Sequence, residues 1–217
     1  MIDVAIIDYQ MSNLHSVQSA CKYVGLSSKI TSNAEEIIDS RIAILPGVGA
    51  FGEAMNQLKI SKLDKCILRF IDTGKPFFGI CLGFQLLFEE SEEFGNYKGL
   101  GVIKGSSKKF SFSNQNNIKY PVPQIGWNKI QKETLGWDNT IFQNNTNGDY
   151  MYFVHSYFVV PENPDIILAS TQYGEQKYCS SIKYNNIFAT QFHPEKSGRK
   201  GLLIYKYLKE IIKKDIQ

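Results

Sequence analysis

The sequence predicts an α/β fold: a mostly parallel central sheet flanked by helices, with antiparallel additions. Three observations carry the prediction. As far as Glu90, short apolar runs alternate with stretches whose apolar residues recur at helical spacing, the pattern of parallel strands joined by crossover helices. After Glu93 the texture changes to short alternating runs that read as hairpins. The 217 residues, 43% hydrophobic and 21% charged, suffice for one sizeable core, so residues 1–217 are expected to form a single domain.

Taken in order, Ile2 to Asp8 is a compact strand-like run. Ser12 or Asn13 then caps a helix in which Leu14, Val17, Cys21 and Val24 repeat at spacings of three and four until Gly25 ends it. Ser28 to Thr31 is a short strand, and the Ser-x-x-Glu spacing of Ser32 to Glu35 predicts a capping box for a brief helix through Ile38. Arg41 to Leu45 is a third strand, followed at once by the glycine-rich turn Pro46-Gly47-Val48-Gly49-Ala50-Phe51-Gly52. This turn lacks the Gly-Lys-Ser/Thr ending of a phosphate loop and the G-x-G-x-x-G spacing of a dinucleotide site, and its orientable N–H groups suit an oxyanion hole as well as a phosphate. Ser61 to Thr73 is an amphipathic helix ended by Gly74. Beyond Glu93, strands are expected over Leu100–Lys104, Lys108–Phe112, Ile125–Ile130, Tyr150–Val160, Ile166–Thr171, Cys179–Tyr184 and Ile187–Phe192, with a hairpin turn at Asn185-Asn186. Ser113 to Lys119 and Gln143 to Gly148 read as exposed loops. A final helix, Gly198 to Lys214, turns Leu202, Leu203, Leu208, Ile211 and Ile212 inward.

Charge and cysteine usage narrow the function classes. A formal charge of +3, from 24 basic and 21 acidic residues, does not suggest a nucleic-acid protein. Cys21, Cys66, Cys81 and Cys179 show no C-x-x-C spacing, and there is no signal peptide or long apolar span, so the chain reads as cytoplasmic and reduced. Neither a metal nor another cofactor is expected.

The chemistry gathers in two stretches. In Lys75 to Glu90, an apolar strand stops at Cys81, and Leu82, Leu86, Leu87 and Glu90 continue at helical spacing, so Cys81 sits on a strand-to-helix turn between Gly79 and Gly83. The N-terminus of a helix favours a thiolate over a thiol at such a position. In the second stretch, Pro194 pushes His193 into an extended conformation, which projects residues i and i+2 to one side. Glu195 can therefore orient the His193 imidazole, and Cys81, His193 and Glu195 supply nucleophile, base and orienter. A zinc reading of His193 and Glu195 needs further ligands, and only His15 and His155 remain as histidines.

These residues carry a resemblance. Gly79-Ile80-Cys81-Leu82-Gly83-Phe84-Gln85 together with His193-Pro194-Glu195 resembles the class I (triad) glutamine amidotransferases. Four further stretches are similar to the branch of that family serving histidine biosynthesis: Asp8-Tyr9 with Asn13-Leu14-His15-Ser16-Val17, Pro46 to Gly52, Gly126-Trp127-Asn128, and His193 to Ser197. One departure is visible: Gln10 and Ser12 stand where that branch usually has glycines. The resemblance implies that Cys81 attacks the side-chain amide of glutamine, that His193 moves the protons, and that the oxyanion rests on N–H groups of Leu82 and of the Gly47-Val48-Gly49 turn. It also implies that Gln85 recognises glutamine with the backbone of Ser156 and Tyr157. By the same resemblance the partner is a HisF-type (β/α)₈ cyclase subunit, met through Asn13, Trp127, Tyr152 and Lys196, because the amidotransferase accounts for essentially the whole length.

Three other readings remain open at this level. The same glutaminase could serve a HisF-like partner that amidates a sugar in surface-polysaccharide synthesis, or be a stand-alone cysteine hydrolase, or be a non-catalytic regulatory subunit. One further expectation concerns the turn itself. Val48 resists positive φ while its glycine neighbours allow a peptide to turn over, so the loop is expected to rest with a carbonyl facing the site and to flip when the loaded partner binds.

Overall fold

The structure, a computed structural model, describes residues 2–11, 14–112 and 120–214. Its first half holds the strands β1 (Val4–Ile7), β2 (Ser28–Thr31), β3 (Ile42–Leu45) and β4 (Phe77–Ile80), connected by helices α1 (Leu14–Tyr23), α2 (Ala34–Asp39), α3 (Phe51–Ile60) and α4 (Leu63–Asp72), with α5 (Leu82–Gln85) directly after β4. The second half contains β5 (Phe88–Ser91), β6 (Tyr97–Lys98), β7 (Ile103–Lys109), β8 (Gln124–Lys129), β9 (Gln131–Lys132), β10 (Tyr150–His155), β11 (Tyr157–Pro161), β12 (Ile167–Tyr173), β13 (Gln176–Tyr184), β14 (Ile187–Thr190) and α6 (Gly198–Lys214).

The main sheet runs β2-β1-β3-β4-β14-β13-β11-β7-β5-β6, with β12 beside β13 and β9 beside β12, while β8 and β10 form a separate antiparallel pair. From β2 to β14 every neighbour is parallel; from β14 onward most pairings are antiparallel, β5 with β7 excepted. The expected α/β class with antiparallel additions is what forms. Alternation along β1 shows why the strands read as unbroken apolar runs: Val4 and Ile6 enter the core shared with α1 and α6, and Ala5 and Ile7 enter the core shared with α2, α3 and α4. A strand covered on both faces has no polar side to show.

Several local expectations are corrected. Asn33, not Ser32, caps α2, its carboxamide oxygen accepting from the N–H groups of Glu35 (2.8 Å) and Glu36 (3.2 Å). The helix after Cys81 stops at Gln85, and Phe88–Ser91, expected to continue it, instead joins the sheet as β5. The glycine-rich turn leads into α3, which was not anticipated. Its N-cap, Ala50, has no capping side chain, and the Phe51 N–H is met instead by the Glu93 carboxylate at 2.7 Å, 42 residues away. The run Tyr150 to Val160 is two strands, not one: β10 pairs with β8, and after Ser156 the chain changes sheets to pair as β11 with β7. In α6 the buried residues are led by Ile204, Tyr205 and Leu208, and Leu203 is only half-buried. The Asn185-Asn186 turn does join β13 to β14, with Tyr184 opposite Ile187 and Asn185 at φ 51°. Ser12 and Asn13, and the loop at 113–119, lie outside the described residues.

Candidate active site

The C-terminal ends of β4 and β14 place the two reactive stretches side by side. β4 ends at Ile80, and Cys81 turns the chain into α5 with φ 54° and ψ −109°, a conformation that L side chains rarely adopt and that costs about 1–3 kcal/mol. The turn is that sharp because the helix lies against the neighbouring strand: a methyl group on Gly83 would stand 1.8 Å from the Leu45 carbonyl oxygen, and one on Gly79 3.0 Å from the Gly83 oxygen. The Cys81 N–H donates to the Thr190 carbonyl at 2.8 Å, tying the elbow to the end of β14.

Three residues beyond Thr190, His193 is extended at φ −100° and ψ 94°, as Pro194 requires, and its N–H donates to the Tyr152 carbonyl at 2.9 Å. Its Nδ1 lies 2.7 Å from Glu195 Oε1, with the two side chains 3% and 2% exposed. A carboxylate only accepts, so Nδ1 carries the proton. Nε2 is buried, bonded to no nitrogen or oxygen, and beside the Cys81 sulfur. Burial pulls the imidazole down, but the Cys81 sulfur and the Glu195 carboxylate together push it higher, to about 10. The sequence-predicted Cys81, His193 and Glu195 are thus in mutual reach. This geometry can take a proton from, and return one to, a group held at the sulfur.

A cavity of about 170 Å³ opens at Cys81, walled by Val48, Gly49, Leu82, Gln85, Glu93 and the Val154-to-Tyr157 segment. Of the expected binding residues, Val48, Gly49, Leu82, Gln85, Ser156 and Tyr157 line it. Gly47 does not: it lies under the turn, where an added methyl would meet the Tyr9 hydroxyl, Leu82 and Gly83. The Val48 N–H donates to the Met11 carbonyl at 2.9 Å and is engaged there, while Gly49 holds φ 105°. The Leu82 N–H, in the first turn of α5, has no carbonyl to meet within its helix, and Leu82 borders the cavity. Gln85 spends both Nε2 protons internally, on the Tyr157 carbonyl (2.9 Å) and on Gln191 Oε1 (3.1 Å), leaving only its oxygen to meet a ligand.

Sequence reasoning missed Glu93 and Gln191. Glu93 reads as one more acid in Glu92-Glu93, yet it caps α3 and is the one carboxylate among the residues named as lining the cavity, with burial raising its pKa. Gln191 sits two residues before His193, beside a stretch singled out for His193 and Glu195. His155, left without a role, is buried: Nδ1 is 2.8 Å from the Tyr157 carbonyl and Nε2 3.2 Å from the Tyr178 hydroxyl. Away from the cavity, Trp127 is exposed and packs edge-on against Tyr152 at 6.1 Å, and Lys196 is exposed in the turn after His193; Asn13 lies outside the described residues. Gln10, at the position where a glycine was expected, adopts φ 69° and donates its N–H to Asp8 Oδ1. Among the described residues no group of three or more His, Cys, Asp or Glu could hold a metal ion, and no helix is long and apolar enough to cross a membrane.

The family model for glutamine amidotransferase class-I matches residues 5–206. The chain belongs to the class-I glutamine amidotransferases. Curated relatives divide that family further: the imidazole glycerol phosphate synthase subunit HisH of Rhodopirellula baltica is 44% identical, covering 92% of this chain and 93% of that protein. The subunit of the same name from Caldanaerobacter subterraneus subsp. tengcongensis is 46% identical over 97% of this chain and 98% of its own length. Within the class, the chain is a member of the HisH family. Among solved structures, PurLQS from Thermotoga maritima superposes with a TM-score of 0.71 at 18% identity, covering 98% of this chain and 100% of that one. The glutaminase domain of Trypanosoma brucei CTPS gives 0.65 at 14% identity, over 98% and 94%. These two show the fold.

Proposed function

We propose that this chain is the glutaminase subunit of an imidazole glycerol phosphate synthase, with residues 1–217 acting as a single amidotransferase domain in the cytoplasm. The observation that carries the reading is that Cys81, at a cavity whose wall offers Glu93, Gln85 and strand-end backbone, lies beside the buried His193–Glu195 pair. Cys81 attacks the carboxamide carbon of glutamine, and the Leu82 N–H takes the first share of charge on the tetrahedral oxygen. His193 gives its Nε2 proton to the departing ammonia, and a water, deprotonated by the same nitrogen, then hydrolyses the γ-glutamyl thioester to glutamate. Glu195 holds the imidazole and its tautomer. Glu93 provides a counter-charge for the α-ammonium group of the substrate.

Ammonia passes to a HisF-type (β/α)₈ cyclase, which converts PRFAR to imidazole glycerol phosphate and AICAR. Trp127, Tyr152, Lys196 and Asn13 form the contact. The second oxyanion donor is Val48, whose N–H must leave the Met11 carbonyl before it can serve; one missing donor costs about 10²–10³ in rate. Glutamine hydrolysis is therefore slow in the isolated subunit and fast when the ligand-loaded cyclase turns this peptide over. The test is Cys81→Ala assayed with the cyclase. Glutamine-dependent synthesis of imidazole glycerol phosphate should vanish while synthesis from added ammonium persists; glutaminase activity retained in the variant refutes the proposal.

A further inference from the structure

The hydrogen bonds behind the cavity form a chain with only one possible polarity. The Tyr157 carbonyl accepts and cannot donate, so the Gln85 group 2.9 Å from it is the amide nitrogen. That nitrogen also donates to Gln191 across 3.1 Å, so the atom it meets is the Gln191 oxygen. The remaining end of Gln191, Nε2, is then the atom 3.7 Å from Cys81 Sγ. Gln191 and Gln85 are 0% and 5% exposed, so water does not compete for these bonds. His155 Nδ1–H donates to the same Tyr157 carbonyl at 2.8 Å, filling its second lone pair and fixing the origin of the chain.

From this geometry we infer that Gln191 is a positioning residue for the nucleophile: its amide N–H holds the Cys81 sulfur and links it through Gln85 to the backbone that walls the substrate cavity. Besides His193 Nε2, the sulfur has the Val154 carbonyl as a neighbour at 3.9 Å, which can meet a thiol but repels a thiolate. Gln191 supplies the opposite preference. It favours the charged sulfur and the rotamer aimed at the cavity, and it donates from the protein side, leaving the face toward His193 and the substrate open. The inference rests on the proposed glutaminase reading only in what the sulfur attacks.

The experiment separates the two. Gln191→Met fills the same space without a donor. Burial pushes the thiols of Cys21, Cys66 and Cys179 up, so alkylation by iodoacetamide near neutral pH reports on Cys81, with Cys81→Ala as the blank. In Gln191→Met the alkylation rate at pH 7 should fall about tenfold, the loss of one bond to a charged acceptor. With the cyclase present, kcat for glutamine should fall by a similar factor while KM changes less than about threefold. A wild-type alkylation profile and kcat in Gln191→Met overturn the inference. Should that variant fail to fold, Gln191→Glu keeps the shape and still accepts from Gln85 while facing the sulfur with an oxygen; it must slow alkylation at pH 7 at least as much, and an unchanged profile is equally fatal. A shifted alkylation profile in a chain that does not hydrolyse glutamine would refute the proposed function and leave this inference standing.

Discussion

His155 makes the stability of this protein depend on acid in a way that can be worked out in advance. Its ring is enclosed by Phe110, Phe153 and Tyr178, and burial holds the imidazole down at about 4 against 6.5 for the free side chain; the bond to the Tyr157 carbonyl opposes that fall and the nearby His193 adds to it. The folded state therefore binds its proton later than the unfolded chain. Stability is fully present above pH 6.5 and is lost as the pH falls from 6.5 to about 4, below which the loss is complete. At 1.36 kcal/mol per pH unit, that interval amounts to about 3 kcal/mol, a large part of the 5–15 kcal/mol typical of a whole domain. His193 does not confuse the window: its pKa is raised by folding, so its contribution is complete below 6.5 and is lost only as the pH rises toward about 10. The assay is urea unfolding of wild type and His155→Gln at intervals from pH 7 to pH 4. The variant is less stable at pH 7, having lost packing and a buried hydrogen bond, but the gap should narrow by about 3 kcal/mol on acidification. Two curves that stay parallel would refute the reasoning.

Gly83→Ala should destabilise the protein by about 3 kcal/mol, because the new methyl meets backbone rather than a side chain that could swing aside; a wild-type melting temperature would show that α5 can shift freely. Glu195→Gln keeps an acceptor for the His193 Nδ1–H and removes its charge, so kcat should fall by less than in His193→Ala, for which the loss of general acid and base chemistry predicts about 10²–10⁴; equal losses would give Glu195 another role. Asn186→Ala should cost about 1–2 kcal/mol in urea unfolding, since the Asn186 amide donates to both the Ile71 and Lys75 carbonyls and so fastens the β13–β14 turn to the end of α4; no loss would mean that water replaces it fully.

Elements whose signals are local can be read from the residues alone. Doubly buried strands such as β1 and β3 announce themselves as apolar runs, the glycines around Cys81 mark a turn too tight for a side chain, and Pro194 sets the backbone that brings His193 and Glu195 to one side. Cys81, His193 and Glu195 could be picked out for that reason. What tertiary structure decided was everything that depends on a partner far along the chain. α3 has no cap of its own and starts where Glu93 reaches it; Phe88 to Ser91, apolar and acidic enough to prolong a helix, is drawn into the sheet by β7; and Tyr150 to Val160 breaks at Ser156 only because two different sheets claim its halves. Gln191 belongs to the same class. Nothing in its immediate neighbours gives its amide a direction, and it acquires one from Tyr157 through Gln85, residues separated from it by dozens of positions and joined to it by three acceptor-and-donor choices that only the folded chain can make.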